Sequence, residues 1–135
     1  MSQSPSGAGS FAAPSSPAPV LVVDDDPHIR RLLEWALEDE GIAVETAADG
    51  YEAIARLAQR RPALVVLDIG LPGVDGFVVA DSLRATYGEA VPILVLTADG
   101  RAAAKAQRVG AFAYFHKPFE LDELIATVQR GLGGA

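Results

Sequence analysis

Val20-Leu21-Val22-Val23-Asp24-Asp25-Asp26-Pro27, residues 20–27, is the stretch whose reading decides the fold. The unbroken apolar run, rich in β-branched valine, reads as a strand covered on both faces. Three aspartates end it. Asp26 suits a helix N-cap and Pro27 a first helical turn. A buried strand that ends in carboxylates and passes at once into a helix is the opening of a β–α unit.

The same pattern recurs downstream. Ala63-Leu64-Val65-Val66-Leu67 runs into Asp68, Ile93-Leu94-Val95-Leu96 into Thr97, and Phe112-Ala113-Tyr114-Phe115 into His116-Lys117-Pro118. A shorter run covers residues 42–46. Helical spacing fills the gaps. Ile29, Leu32, Leu33, Ala36 and Leu37 form an apolar stripe that Gly41 ends. Asp49 caps a helix through Arg60, and Pro62 stops it. Turn-rich residues 70–76 precede a helix over about 76–86. An alanine-rich helix spans roughly 101–109 and ends at Gly110. Leu121, Leu124, Ile125, Val128 and Leu132 share one face of the last helix. Strands alternating with helices predict an α/β fold: a flavodoxin-like (βα)5 three-layer sandwich around a five-stranded parallel sheet of order 2-1-3-4-5.

Bulk properties narrow the function. The chain has 135 residues, which suits one domain, and 50% hydrophobic residues, enough for a packed core. A net charge of −7 argues against direct nucleic acid binding. Without cysteine there is no disulfide framework or thiolate metal site. No apolar run approaches the roughly 20 residues that span a bilayer, and no signal peptide opens the chain, so no membrane partner is expected and a cytoplasmic location follows by elimination. Residues 1–18 are almost entirely Ser, Pro, Ala and Gly, the composition of a disordered arm. The ordered domain is expected over 19–132, with a flexible tail at 133–135.

Ligands of an open parallel sheet bind outside the carboxyl ends of its strands. The order 2-1-3 makes the strands before Asp24 and Asp68 neighbours. Carboxylates forced together repel, so at least one pKa rises unless a cation intervenes. Hard oxygen ligands without histidine or cysteine suit magnesium, with manganese as the alternative ion. The Asp25 and Asp68 side chains and the Gly70 carbonyl can supply ligands, with Asp24 acting through a water. Aspartate is also a nucleophile in phosphoryl transfer. A phosphoryl group on Asp68 would have one oxygen covered by the cation, one by the Lys117 ammonium and one by the Thr97 hydroxyl. The Lys117–Pro118 bond is a candidate for the cis form, which aims the lysine inward. His28 and His116 lack a second histidine at ligand spacing and read as surface or rim residues.

In this order and spacing, Val23-Asp24-Asp25-Asp26-Pro27 with Arg30, Leu67-Asp68-Ile69-Gly70-Leu71-Pro72-Gly73-Val74-Asp75-Gly76, Leu96-Thr97-Ala98, Gly110-Ala111 and Lys117-Pro118-Phe119 resemble the receiver (CheY-like) domain of two-component response regulators. The resemblance covers about residues 20–132. It implies that Asp68 accepts a phosphoryl group from the phosphohistidine of a sensor histidine kinase or histidine phosphotransfer protein. It further implies that Asp24 and Asp25 hold magnesium, that Thr97 and Lys117 bind the phosphoryl oxygens, and that Tyr114 is the switch aromatic. Two departures stand out. Thr97 and Lys117 lie two residues closer than in the commonest receivers, the loss falling around residues 99–109. The only tryptophan, Trp35, lies on the first helix, off its buried stripe, where relatives dock a phosphodonor.

The expected function is a single-domain signalling switch acting on a downstream protein target, not an enzyme. Three alternatives are weaker. A haloacid-dehalogenase-type phosphatase needs a second aspartate where Gly70 stands. A nucleotide carrier needs a phosphate cradle where Asp24-Asp25-Asp26 would repel one. A pseudo-receiver, or a receiver cut from a larger regulator, shares all the residues above.

Overall fold

The computed structural model describes residues 17–71 and 74–133. Most of the expected arm at 1–18, Pro72 and Gly73 of the turn-rich stretch, and Gly134 and Ala135 of the expected tail lie outside the described residues. The elements, in chain order, are β1 (Val20–Val23), α1 (Pro27–Asp39), β2 (Val44–Ala47), α2 (Gly50–Gln59), β3 (Leu64–Asp68), α3 (Gly76–Tyr87), β4 (Ile93–Thr97), α4 (Ala102–Val109), β5 (Ala113–His116) and α5 (Leu121–Gly131). All strand pairs are parallel and the order is β2-β1-β3-β4-β5, the predicted 2-1-3-4-5.

The two-residue period of the strands divides the core. Val20, Val22, Leu64, Val66, Leu94 and Leu96 face Leu33 and Leu37 of α1 and Leu124 and Val128 of α5. Leu21, Val23, Val65, Leu67, Ile93 and Val95 face the other side, where α2, α3 and α4 contribute Leu57, Leu83 and Val109. With both faces covered, β1, β3 and β4 are buried at every residue, which is why they read as continuous apolar runs.

Local signals set the helix ends. Asp26 accepts a hydrogen bond from the His28 N–H at 2.8 Å, and Asp49 from the Glu52 N–H at 2.8 Å. Asp75 caps α3 through the Val78 N–H at 3.0 Å. Gly110 ends α4 in the left-handed region at φ 67°, which a residue with a Cβ adopts only at a cost.

Three expectations need correction. The second strand starts at Val44, not at residue 42, because the Ile42 N–H donates to the Leu37 carbonyl at 3.0 Å and closes the end of α1 instead of joining the sheet. The fifth strand starts at Ala113, although the Phe112 N–H still donates to the Ile93 carbonyl at 3.0 Å, and as an edge strand it alternates between half-buried and exposed residues. Leu32 is not part of a buried stripe. It is 40% exposed, because α1 meets the sheet through Leu33, Ala36 and Leu37.

Register then positions the chemistry. Val23 pairs with Leu67, so Asp24 and Asp68 leave the sheet side by side. Asp68 pairs with Leu96, one residue before Thr97, and Thr97 pairs with His116, one residue before Lys117. Residues far apart in sequence thus share one rim.

Candidate functional site

Asp24 is fully buried at that rim. Its Oδ1 accepts from the Asp26 N–H at 2.9 Å. Its Oδ2 sits 2.8 Å from the Lys117 Nζ as an ion pair, yet accepts no well-oriented hydrogen bond among the described residues. Asp68 is 5% exposed. Its Oδ1 accepts from the Gly70 N–H at 2.9 Å, and its Oδ2 from the Lys117 Nζ at 3.1 Å. Asp25 is exposed and closes the cluster on the solvent side. Ligand oxygens of Asp24, Asp25 and Asp68 all lie within 4.8 Å of one another. The Lys117–Pro118 peptide bond is cis, and the ammonium lies between the two buried carboxylates.

The electrostatics are unbalanced. Burial pushes the Asp24 carboxyl above its ordinary 3.8; the Lys117 ammonium and the Asp26 N–H pull it back, and the Asp68 charge adds to the rise. Burial pulls the Lys117 ammonium down, but its contacts with Asp24 and Asp68 outweigh that and lift it above 10.5. Lys117 therefore stays charged, and a single ammonium faces three carboxylates. A hard cation fits this donor set: every ligand atom is a carboxylate oxygen, one buried oxygen lacks a proper donor, and Asp25 leaves the approach open to water.

The family described as "Response regulator receiver domain" matches residues 20–129. The chain belongs to this family. "Response regulator MprA" of Mycobacterium sp. (strain KMS) is 44% identical over 115 residues, 84% of this chain and 50% of that protein. "DNA-binding transcriptional regulator NtrC" of Salmonella typhimurium is 39% identical over 115 residues, 24% of that protein. The chain thus spans about half the length, or less, of these relatives. Among solved structures, chemotaxis protein CheY4 of Vibrio cholerae superposes with a TM-score of 0.76 at 37% identity, covering 85% of this chain and 98% of that one. Response regulator TrrA of Thermotoga maritima, solved in complex with Mg(2+)-BeF, gives 0.75 at 36% identity, covering 84% and 98%. A receiver domain is a signalling module of two-component systems, and the acidic cluster found in this one is compatible with magnesium.

The other expected residues fall into two groups. Thr97, buried at the end of β4, accepts from the Asp99 N–H through Oγ1 at 3.3 Å. Gly70 is exposed, its N–H fixed on Asp68. Tyr114 and Trp35 are not drawn into the cluster. Tyr114 is 50% exposed on β5 and lines a groove with Ala103, Ala106, Gln107 and Phe112. Trp35 is 64% exposed on α1, beside the exposed Leu32. His28 and His116 are exposed, as expected.

Two residues of the quoted motifs have contacts that the sequence did not show. The Arg30 Nη1 donates to the Asp24 carbonyl at 2.8 Å and fixes the acidic turn from the first turns of α1. Its position six residues after Asp24, on the helix that leaves the site, was the clue. Gly76 lies so close behind the site that a Cβ would stand 2.6 Å from the Ile69 Cα and 2.8 Å from the Asp68 carbonyl oxygen.

Proposed function

We propose that this receiver is a phosphorylation-dependent switch in which Asp68 takes a phosphoryl group from a phosphohistidine of a sensor histidine kinase or histidine phosphotransfer protein. One observation carries the reading: the Asp68 Oδ2 lies 3.1 Å from a lysine ammonium, with the oxygens of two further aspartates within 4.8 Å. In the transfer the phosphorus–nitrogen bond of the donor breaks, a phosphorus–oxygen bond to Asp68 forms, and the imidazole leaves. Asp24, Asp25, Asp68 and the Gly70 carbonyl would hold magnesium, or manganese in its place. When bound, the ion supplies neutralising charge to the phosphoryl oxygens. Lys117 turns from the Asp68 carboxylate to one phosphoryl oxygen, and the Thr97 hydroxyl donates to another.

Readout follows from packing. Thr97 drawn toward Asp68 leaves room on the face of β4 and β5, and the exposed Tyr114 ring turns inward to take it. Trp35, with Leu32 beside it, is the proposed contact for the phosphodonor. Output passes to a downstream protein, from residues 19–132 acting alone or as part of a longer regulator. The net charge of −7 favours a protein over nucleic acid.

The test is acetyl phosphate with magnesium, read by mass, and beryllofluoride, read by NMR. The expected result is one acid-stable, base-labile phosphoryl adduct at Asp68, absent in Asp68→Asn, with resonance shifts at Thr97 and Tyr114. Failure of every donor to label the wild-type protein would overturn the reading. Trp35→Ala should slow transfer from a phosphohistidine protein but not from acetyl phosphate.

A further inference from the structure

We propose that Lys105 is a positioning residue for Thr97, acting through Asp99, and that the Asp99–Lys105 ion pair latches the domain in its resting arrangement. This rests on the proposed movement of Thr97 toward a phosphoryl group on Asp68. The observations form a chain. The Lys105 Nζ is hydrogen bonded and ion paired with the Asp99 Oδ2. The Asp99 Oδ1 accepts from the Arg101 N–H at 2.9 Å, at the very start of α4. The Asp99 N–H donates to the Thr97 Oγ1 at 3.3 Å. Asp99 therefore joins the candidate phosphoryl-binding hydroxyl to the first turns of α4 by three contacts.

The two ends of α4 are held differently. At its C-terminal end the Arg84 Nη2 donates to the carbonyls of Val109 and Gly110 at 3.2 and 3.0 Å, and the Arg108 guanidinium lies 3.8 Å above the Phe77 ring. That end is fixed to α3. At the N-terminal end Arg101 makes no side-chain cap, and the Asp99 carboxylate, reaching in from the loop, takes that place. The Lys105 side chain is only 20% exposed against 56% for Asp99, so the lysine is the more buried partner of the pair. Lys105 and the Arg101 N–H also hold the Asp99 carboxyl below its ordinary 3.8, which keeps that carboxylate charged across the neutral range.

Thr97 accepts the Asp99 N–H through Oγ1, and its hydroxyl also bonds the Asp99 carboxylate, so Asp99 holds Thr97 through both its backbone and its side chain. Moving Oγ1 toward an anion on Asp68 must break the 3.3 Å bond or pull Asp99 along, and Lys105 resists the second course. The latch thus opposes activation, and its removal favours the bound arrangement.

The experiment is titration of the metal-loaded protein with beryllofluoride, followed by NMR at Thr97. Lys105→Met is expected to bind about two- to fivefold more tightly at low salt, the range of an exposed ion pair. Asp99→Asn, which keeps an oxygen for the Arg101 N–H, should match it. The double variant should add nothing further, and Lys105→Arg should return to wild type. About 1 M salt should abolish the ratio between wild type and Lys105→Met. Equal affinities for wild type and Lys105→Met, additive single effects or a salt-independent ratio would overturn the latch alone. A wild-type protein that takes up no beryllofluoride would overturn the reading of Asp68 and the latch with it.

Discussion

At position 76 a single methyl group would press on the backbone of Asp68. Gly76 approaches the Asp68 carbonyl and the Ile69 Cα so closely that an added Cβ has nowhere to go but into backbone. Backbone at the end of a buried strand gives little, so the β3 end must shift. Gly76→Ala is expected to cost about 1–3 kcal/mol in a denaturant melt, typical of overpacking, and to weaken magnesium binding in calorimetric titration. Unchanged stability and metal affinity would show that this approach does not position Asp68. No sequence pattern announces the contact, because Gly76 reads equally well as an ordinary turn glycine. Asp24, Asp25, Asp68 and Lys117 were legible for the opposite reason. Each lies at the end of a strand or within two residues of it, and strand ends of a parallel sheet converge by topology. Arg30 lay between the two cases: its place after the acidic turn was visible, but its bond to the Asp24 carbonyl was not.

Among the elements, α4 is the one least determined by its own sequence. It buries Ala102, Ala106 and Val109, a thin apolar face beside the leucines of α1 or α5. Other elements hold it. Arg84 of α3 spends one guanidinium on four carbonyls, those of Gly88, Val91, Val109 and Gly110, at 2.9–3.3 Å. Charge-assisted bonds of this kind are the stronger ones, and a methionine of similar length would leave the carbonyls to water. Arg84→Met is therefore expected to destabilise the domain by about 2 kcal/mol and to increase hydrogen exchange through residues 102–110 before the rest of the sheet. Uniform exchange, or a melting point matching wild type, would contradict the anchoring role. A sequence shows the arginine but not its reach across 26 residues. The edge strands were misplaced for a related reason. Interior strands β1, β3 and β4 are apolar at every position and give their own bounds, whereas β2 and β5 are half covered, and backbone bonds outside the sheet, such as Ile42 to Leu37, set where they begin.

For the molecule as a whole, the acidic rim is a weak point in an otherwise apolar structure, and its ionisation couples stability to pH and to metal. Asp24 titrates above 3.8 in the fold because burial disfavours its charge. Folding therefore favours the protonated form: that contribution is complete below the unfolded value of 3.8 and is lost as pH rises through the folded one. Lys117, raised above 10.5, stays charged throughout this window, so of these two partners it is the Asp24 carboxyl that contributes a slope. Metal-free protein at neutral pH thus carries an unfavourable buried charge. Asp24→Asn removes it and is expected to raise the metal-free melting temperature at pH 7, with the advantage shrinking toward pH 4. Magnesium should reverse the order, since an ion that binds only the folded state adds about 2.7 kcal/mol at a hundredfold excess over its Kd, and the variant has lost a carboxylate of the cluster. Melts of both proteins from pH 4 to 8, with and without magnesium, measure all of this. A metal-free Asp24→Asn protein that melts below wild type at pH 7 would mean that the Lys117 pairing, not desolvation, dominates at Asp24. In that case the rim would be stabilised by its own lysine, and the electrostatic demand for a cation would fall away.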